Sequence, residues 1–318
     1  MAKIIAEFCQ NHNGNTDILK KMLYSAKENG ATHAKIQTIF ADDLSFRQEF
    51  EDGAQSNGET LVIKRPYKPE YDRLKKLEIS FNDHQSFIDD CRKLDIIPLT
   101  TCFTRGNVSR IREIGFKEIK VASYDCGSLP LIRELAAAFE KLIISTGATY
   151  DSEIEQTASY LNSIRKPFSF LHCVTIYPTP LSEMHLERMK FLRKFTSEVG
   201  LSDHSLVERD GVKSSIIAIF EGAEYIERHF TILEKDQTKD GPVSIQPGHL
   251  KELTDFVKLS RSDQKQYITE NIPEYAVALG QERRELTPAE LLNRSYYRGR
   301  FATKVGDRTI YNWEDIAI

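Results

Sequence analysis

A chain of 318 residues with 40% hydrophobic and 28% charged side chains has the composition of a globular protein that is large enough to bury a substantial core. Its net charge of -4 gives no basis for expecting nucleic acid or a membrane surface as a partner, and no apolar run is long enough to span a bilayer. The N-terminus lacks the pattern of a secretory signal, and the five cysteines are scattered and odd in number. These features predict a cytoplasmic protein with reduced thiols that lie in the core.

Short β-branched segments alternate with amphipathic segments over most of the chain. The predicted strands are residues 4–8, 34–39, 97–103, 118–123, 141–145, 168–174, 199–204 and 225–231. The predicted helices are residues 16–30, 83–94, 108–114, 129–139, 152–164, 185–195, 212–220 and 250–259. Eight strand-helix units with a repeat of roughly 28 residues predict an α/β fold, a single (β/α)₈ TIM barrel. A doubly wound open sheet is the alternative, but the chain has no Gly-x-Gly-x-x-Gly turn.

Two regions depart from this alternation. Residues 41–80 are polar and contain several glycines and prolines, which predicts an irregular insertion or lid. The chain becomes charged from residue 261, and Lys304-Val-Gly-Asp307 suggests a small hairpin. We therefore predict a catalytic barrel over residues 1–262, followed by a linker and a short C-terminal extension over residues 263–318, which is too short to be an ordinary domain.

Polar and charged side chains are concentrated at the predicted carboxyl ends of the strands, where barrel enzymes place their reactive groups. These residues are Glu7, Lys35, Gln37, Lys120, Ser123, Asp125, Ser145, His172, Tyr177, Ser202, Asp203, His204, Glu227 and His229. Among the eight strands, only the third is expected to contribute no such group. A rim of this composition suits a small, highly anionic substrate, because lysines neutralise phosphate or carboxylate charge and serines add hydrogen bonds.

Several of these residues also have simpler interpretations. A single histidine at a strand end is usually scaffolding, although His204 and His229 on neighbouring strands make a metal site equally reasonable. Residues 11–14 could be only a strand-to-helix turn in which Gly14 adopts positive φ. Lys35 and Lys120 lie in apolar runs, which favours an anion site over a solvated surface.

A similar choice applies to a basic cluster and to the cysteines. Lys64, Arg65 and Lys68 are interpreted as a solvated loop face, with anion capture as the alternative. Cys9, Cys102, Cys126 and Cys173 are interpreted as core thiols.

Seven motifs in this order resemble those of the N-acetylneuraminate (sialic acid) synthase family, including the legionaminic and pseudaminic acid synthases. The resemblance extends from about Ile4 to Leu259. The motifs are Ile5-Ala-Glu-Phe-Cys-Gln-Asn-His-Asn-Gly14, Ala34-Lys-Ile-Gln-Thr38, Lys120-Val-Ala-Ser-Tyr-Asp125, Ile144-Ser-Thr-Gly147, Leu171-His-Cys173 with Tyr177-Pro-Thr-Pro180, Gly200-Leu-Ser-Asp-His204 and Ile226-Glu-Arg-His-Phe-Thr231.

The resemblance implies a metal-dependent condensation of phosphoenolpyruvate with an N-acylated aldose, which releases phosphate and forms a sialic-acid-like nonulosonic acid. It assigns a Mn²⁺ or Mg²⁺ ion to His204 and His229, and it places Glu7 near the reacting carbons. The residues implied to bind phosphoenolpyruvate are Lys35, Lys120, Ser123, Ser145 and Ser202, and those implied to face the sugar are Gln37, Asp125 and Tyr177. The family also implies a homodimer.

Three departures from the family pattern concern the sugar end of the site. The chain reads Asp240-Gly-Pro-Val243 where relatives have an aspartate after Gly-Pro, so Asp240 is a candidate substitute. Thr175 replaces a common asparagine. Only residues 294–318 resemble the start of the family's C-terminal antifreeze-like domain, whose arginine contacts the substrate, with Arg298 or Arg300 as possible replacements.

Two other functions remain open on the sequence alone. A metal-dependent sugar hydrolase or isomerase could use the same barrel, although it does not require two lysines and three serines on the rim. A catalytically inert relative is the other alternative, and the presence of Glu7, Lys35, Lys120, His204 and His229 argues against it.

Overall fold

The computed structural model describes residues 1–318. Its strands are β1 (Lys3–Cys9), β2 (His33–Thr38), β3 (Ala54–Ser56), β4 (Glu59–Val62), β5 (Ile97–Cys102), β6 (Glu118–Val121), β7 (Lys141–Ser145), β8 (Phe168–His172), β9 (Val199–Asp203), β10 (Tyr225–His229), β11 (Thr303–Val305) and β12 (Arg308–Ile310). Its α-helices are α1 (Thr16–Glu28), α2 (Glu49–Asp52), α3 (Tyr67–Leu77), α4 (Phe81–Lys93), α5 (Val108–Glu113), α6 (Leu129–Ala138), α7 (Asp151–Ser163), α8 (Arg188–Leu192), α9 (Val207–Asp210), α10 (Lys213–Phe220), α11 (Pro247–Lys258), α12 (Arg261–Asn271), α13 (Tyr275–Leu279) and α14 (Pro288–Tyr297).

Eight strands form a closed parallel barrel in the order β1-β10-β9-β8-β7-β6-β5-β2. Closure is carried by β1, which pairs with β10 on one side and with β2 on the other. Glu7 thereby lies beside both His229 and Lys35 in the two registers. The predicted (β/α)₈ barrel is confirmed, and the open-sheet alternative is wrong because the sheet has no edge.

Side chains alternate between the inside and the outside of the barrel along every strand. One small apolar cluster consists of Ile5, Leu99, Ile143, Leu171 and Tyr225, each from a different strand. Ile4, Ala6 and Phe8 belong instead to the large core that includes the surrounding helices. The small cluster therefore fills the barrel interior, and residues two or four positions further along each strand also point inward, toward its carboxyl end.

Residues 41–80 are more ordered than predicted. They contain α2, the hairpin β3-β4 and the whole of α3, because Leu74 on α3 packs with Ala41, Leu44 and Phe301 in a separate small core. The prediction of an irregular segment is wrong, since this amphipathic pattern was overlooked among polar residues. The segment is fixed to the C-terminal part of the chain.

The predicted helix over residues 185–195 is also too long, since α8 begins only at Arg188. His185 has φ of 47° and cannot be part of a right-handed helix. At the other end of the chain, the predicted hairpin at residues 304–307 is confirmed as β11-β12.

Residues beyond the barrel are packed against it. Ile268, Ile272 and Ala278 join the main core, although residues 261–284 are rich in charge. The division of the chain at residue 262 stays a prediction. None of the helices combines the length and apolar character that crossing a membrane requires.

Candidate active site

One cavity of about 430 Å³ opens at the carboxyl ends of the barrel strands. All twelve residues predicted to bind substrate or metal or to act in catalysis line it. They are Glu7, Lys35, Gln37, Lys120, Ser123, Asp125, Ser145, Tyr177, Ser202, His204, His229 and Asp240. The structure thus brings the predicted set together, while the role of each residue stays a prediction.

The floor of the cavity holds two buried lysines and two buried glutamates. Lys35 contacts the carboxylate of Glu7, and its Nζ is 3.8 Å from Glu227 Oε2. Lys120 Nζ is 3.8 Å from Glu227 Oε1. All four side chains are at most 7% exposed. The attraction between the two ammonium groups and the two carboxylates offsets the cost of removing these charges from water. Glu227 was recognised as a strand-end residue, but it was assigned no role.

Hydroxyl groups surround these charges. Lys120 donates to Ser145 Oγ at 2.6 Å, and Ser202 donates to Glu227 Oε1 at 2.8 Å. Lys35 donates to Thr101 Oγ1 at 3.1 Å. Thr101 lies on β5, so the expectation that the third barrel strand contributes nothing is wrong. The sequence carried a signal for this, because strand alternation predicts an inward-facing side chain at Thr101, which pairs with Gln37 in β2.

A second part of the cavity is formed by groups further from the barrel axis. Asp125 lies in a 3₁₀ turn after β6, where its Oδ1 accepts hydrogen bonds from Ser128 at 3.1 Å and from Asn312 at 3.0 Å. Burial raises the pKa of Asp125 to about 6, against the opposite effect of these two donors. Tyr177 packs edge-on against His204 with ring centroids 4.3 Å apart.

The two predicted metal-binding histidines are adjacent, with ring centroids 5.1 Å apart. Burial, followed by the nearby His229, holds the pKa of His204 well below its usual range, so the imidazole is neutral, as a metal ligand must be. His229 Nδ1 is buried, has no hydrogen-bond partner and lies 3.9 Å from Asp240 Oδ2. A free imidazole nitrogen beside a carboxylate and a second neutral histidine fits a divalent cation.

Asp203 lies between two cavity-lining residues but takes no part in the cavity. Its side chain points outward, where its Oδ2 is 2.6 Å from Arg228 Nη1 and accepts from Ser214 and Ser215. Both charged side chains are fully buried. The pair joins the barrel wall to α10 directly behind His204, and it agrees with an orienting role for Asp203.

The motif at residues 11–14 forms a turn. Asn11 donates to Phe230 O and to Ser244 Oγ, both at 2.9 Å. Gly14 has φ of 73°, and a Cβ there would lie 2.3 Å from Lys76 O, so a glycine is required. The simpler interpretation of this motif as a strand-to-helix turn is confirmed.

The prediction that the cysteines are core thiols holds only for some of them. Cys9 and Cys173 line the cavity, whereas Cys91, Cys102 and Cys126 belong to the main core. The Cys9 thiol donates to Asp240 Oδ2 at 3.1 Å, and Cys173 Sγ is 3.8 Å from His204 Nδ1. The sequence carried a signal for this, because strand alternation puts Cys9 on the same face as Ile5 and Glu7, and Cys173 on the same face as Leu171.

Four cations form a wall on one side of the cavity, and sequence reasoning missed two of them, Arg73 and Lys239. Arg73 and Arg300 pair with Glu70, whereas Arg65 and Lys239 have no carboxylate within salt-bridge distance. The residues come from the 41–80 segment, from the loop after β10 and from the C-terminal segment. The sequence singles out Arg65, as part of a basic loop for which anion capture is the alternative, and Arg300, as a possible replacement for an arginine that contacts the substrate.

Residues 22–267 match the model of the NeuB family. The chain belongs to the NeuB family. This membership confirms the resemblance inferred from the seven motifs, six of which lie within the matched residues. No observation in the cavity conflicts with that assignment, since each motif places at least one side chain on its rim.

Several relatives with named activities resemble the chain. It is 31% identical over 262 residues to an N,N'-diacetyllegionaminic acid synthase of Campylobacter jejuni. The aligned region covers 79% of this chain and 73% of the relative. It is 27% identical over 303 residues to a pseudaminic acid synthase of the same species, covering 95% and 81%. A crystal structure of an N-acetylneuraminic acid synthetase from Leptospira borgpetersenii superposes with a TM-score of 0.68 at 25% identity, covering 93% and 90%.

Proposed function

We propose that this protein condenses phosphoenolpyruvate with an N-acylated aldose, such as N-acetylmannosamine or a related amino or diamino hexose. The products are a sialic-acid-like nonulosonic acid and inorganic phosphate. The observation that carries the proposal is the buried cluster of Lys35, Lys120, Glu7 and Glu227 on the floor of a cavity that also contains two neutral histidines. The named activities of the relatives support it.

Phosphoenolpyruvate fits the floor of the cavity by charge. Its phosphate and carboxylate can replace the interactions that Glu227 makes with Lys35 and Lys120, which are 3.8 Å long and therefore weak. Ser145 and Ser202 already donate to or accept from groups of this cluster and can turn to the substrate. Ser123 lies on the same wall.

The reaction requires two bonds to form and one to break. C3 of phosphoenolpyruvate attacks the aldehyde carbon of the sugar, and water adds to the cationic C2 that this leaves. Glu7 accepts one proton from that water and returns it to the alkoxide that the aldehyde oxygen has become. The tetrahedral carbon then expels phosphate, which takes the second proton of the water as C2 becomes the ketone of the 2-keto acid. Lys35 and Lys120 stabilise the charge on the departing phosphate.

The sugar is proposed to bind above the floor. Gln37, Asp125 and Tyr177 line this part of the cavity, and the carboxyl of Asp125 can donate a hydrogen bond below its pKa of about 6 and accept one above it. A divalent cation, Mn²⁺ or Mg²⁺ in the family, held by His204 and His229 would polarise the aldehyde as a Lewis acid. Asp240 lines the cavity beside His229, with its Oδ2 3.9 Å from His229 Nδ1.

The test is phosphate release from phosphoenolpyruvate with a panel of acetamido and diacetamido hexoses, with and without chelator. We expect release with at least one sugar, and its loss in Lys120→Ala and in His204→Ala while both variants keep native circular dichroism. Activity that persists in His204→Ala would contradict the role of that histidine. No release with any sugar would contradict the proposal and favour an inert relative.

The resemblance implies a homodimer, and the five scattered cysteines predict a cytoplasmic location; both stay proposals. Sedimentation equilibrium at concentrations around the working range would test the dimer. A hydrolase or isomerase on the same barrel is not favoured by family membership. Hydrolysis of a sugar substrate without phosphoenolpyruvate would support that alternative.

A further inference from the structure

Cys9 occupies a backbone conformation that favours glycine. Its φ is 47°, in the left-handed region, where any side chain costs stability. The thiol lies in the cavity, where it donates to Asp240 Oδ2 at 3.1 Å. Strained residues of this kind are concentrated at functional sites, so the thiol itself needs an explanation.

Three different metal-binding groups meet at this point. Cys9 Sγ, a ring nitrogen of His229 and a carboxylate oxygen of Asp240 all lie within 4.8 Å of one another. The distance from His229 Nδ1 to Asp240 Oδ2 is 3.9 Å. Ligands of one tetrahedral ion, at about 2.0 to 2.3 Å from it, lie roughly 3.3 to 3.8 Å apart. The observed spacings need only small side-chain rotations to reach these values.

The three groups are supplied by separate parts of the chain. Cys9 ends β1, His229 ends the neighbouring strand β10, and Asp240 follows in the loop after it. His229 Nδ1 is buried and has no hydrogen-bond partner, so it is free to bind a cation. The thiol is therefore not isolated, because an unpaired nitrogen and a carboxylate face it.

We propose that Cys9 and Asp240 join His229 as ligands of the divalent ion, so that the site selects a thiophilic ion such as Zn²⁺ or Co²⁺ over Mn²⁺ or Mg²⁺. A thiolate is a soft ligand, and hard ions such as Mg²⁺ and Mn²⁺ prefer oxygen. On binding, the thiol proton passes to solvent and the Cys9–Asp240 hydrogen bond is replaced by two bonds to the ion. The inference rests on the proposed function only for the location of the ion.

Co²⁺ provides a direct probe, since a thiolate bound to it gives a ligand-to-metal charge-transfer band in the near ultraviolet. The full-length protein would be stripped with a chelator, dialysed and titrated with Co²⁺ in the absence of substrates. We expect one equivalent of Co²⁺ to produce the band, and Zn²⁺ to remove it by displacement. Binding of Co²⁺ without the band would overturn the proposal.

Matched variants identify the sulfur. Cys173→Ser is the control, because Cys173 Sγ lies 3.8 Å from the other histidine, at His204 Nδ1. We expect the band to persist in Cys173→Ser and to be absent in Cys9→Ser and Cys9→Gly. The glycine variant suits the positive φ, so it keeps the test valid if the serine variant fails to fold. Loss of the band in Cys173→Ser alone, or its persistence in Cys9→Gly, would overturn the assignment.

Selectivity gives a second measurement that does not depend on activity. The protein is dialysed against a mixture of Cd²⁺ and Mn²⁺, and the two bound metals are then measured. We expect the ratio of bound Cd²⁺ to bound Mn²⁺ to be at least tenfold lower in Cys9→Gly than in the unmodified protein. An unchanged ratio would contradict a sulfur ligand. These experiments use no substrate, so failure of the proposed condensation reaction would be detected separately, in the phosphate-release assay.

Discussion

Asp125 and Asp203 are both buried aspartates near the top of the barrel, but their surroundings differ. Asp125 has only neutral hydrogen-bond donors, from Ser128 and Asn312, and its pKa rises to about 6. Burial by itself also raises the pKa of Asp203, but Arg228 and two serine hydroxyls lower it to about 2. The same residue type thus titrates near pH 6 in the cavity and stays charged behind it, which separates a group that can exchange protons from one that holds structure.

The first prediction concerns the Asp203–Arg228 pair. Asp203→Asn leaves the guanidinium of Arg228 buried without a counter-charge, which should lower the free energy of unfolding by roughly 3 to 5 kcal/mol at pH 7. Denaturant unfolding followed by circular dichroism measures this. The control is Asp72→Asn, which breaks an exposed pair with Lys68 and should change stability little. Equal effects in the two variants would contradict the argument.

The second prediction concerns the pH dependence of stability. The pKa of Asp125 is about 6 when folded and near 4 when unfolded, so between these values the folded state holds more protons. Its contribution to stability is complete below pH 4 and is lost as the pH rises through 6. In Asp125→Asn this loss is absent, so the variant should gain up to roughly 3 kcal/mol relative to the unmodified protein between pH 4 and pH 7.

This gain is measured as the difference between the two unfolding free energies at each pH, because other titrating groups then cancel. A difference that does not change with pH would show that the carboxyl of Asp125 is not destabilised by burial.

At the level of elements, the C-terminal segment completes the upper part of the cavity. Asn312 is buried and donates to Phe103 O at 2.8 Å and to Asp125 Oδ1 at 3.0 Å. Tyr297 at the end of α14 stacks on Tyr124 with centroids 5.1 Å apart. Arg300 lines the cavity and pairs with Glu70 on α3. The 41–80 segment and the C-terminal segment therefore hold each other in place above the strand ends.

The third prediction tests this link. Asn312→Ala removes two buried hydrogen bonds and should cost about 2 kcal/mol of stability. The only tryptophan, Trp313, is its neighbour and stacks on Tyr311 with centroids 4.7 Å apart, so tryptophan fluorescence reports on this segment. We expect fluorescence to change at lower denaturant than far-ultraviolet circular dichroism in the variant. The control is Lys304→Ala, which changes an exposed residue of the β11-β12 hairpin and should leave both transitions at the midpoint of the unmodified protein. If the fluorescence and circular dichroism transitions of Asn312→Ala also coincide at that midpoint, the prediction is contradicted.

For the whole molecule, the distribution of charge matters more than its sum. The chain carries a net charge of -4, yet Arg65, Arg73, Lys239 and Arg300 are placed together at the cavity. Glu70 is the carboxylate with which two of them pair. A cationic wall beside a concave site attracts anions locally even when the protein as a whole is negative.

The fourth prediction follows from this arrangement. If phosphoenolpyruvate is the substrate, its kcat/KM should fall as ionic strength rises, because screening acts over about 10 Å at 0.1 M salt. The double variant Arg65→Ala, Lys239→Ala should have a lower kcat/KM at low salt and a flatter salt dependence. The control Lys64→Ala, Lys68→Ala removes two exposed cations that do not line the cavity. The same salt slope in both double variants would rule out steering by this wall.

The pattern of residues along the chain is sufficient to predict the barrel and the residues at its strand ends. Alternation of β-branched and amphipathic segments is local, and the carboxyl ends of parallel strands must meet, so Glu7, Lys35, Lys120, Ser202, His204 and His229 could be placed on one rim without coordinates. Strand parity also explains why Asp203 was harder to place. It is one residue out of phase with its neighbours and points to the helices.

The surroundings of those residues depend on contacts between distant parts of the chain, which are visible only in the tertiary structure. The pairing of Glu227 with both lysines, the cation wall and the link from Asn312 to Asp125 join residues that are far apart in the chain. The hydrogen bond from the Cys9 thiol to Asp240 likewise joins β1 to the loop after β10, which nothing in the local sequence indicates. Contacts of this kind depend on how loops pack together, and loop packing has no periodicity from which it could be predicted.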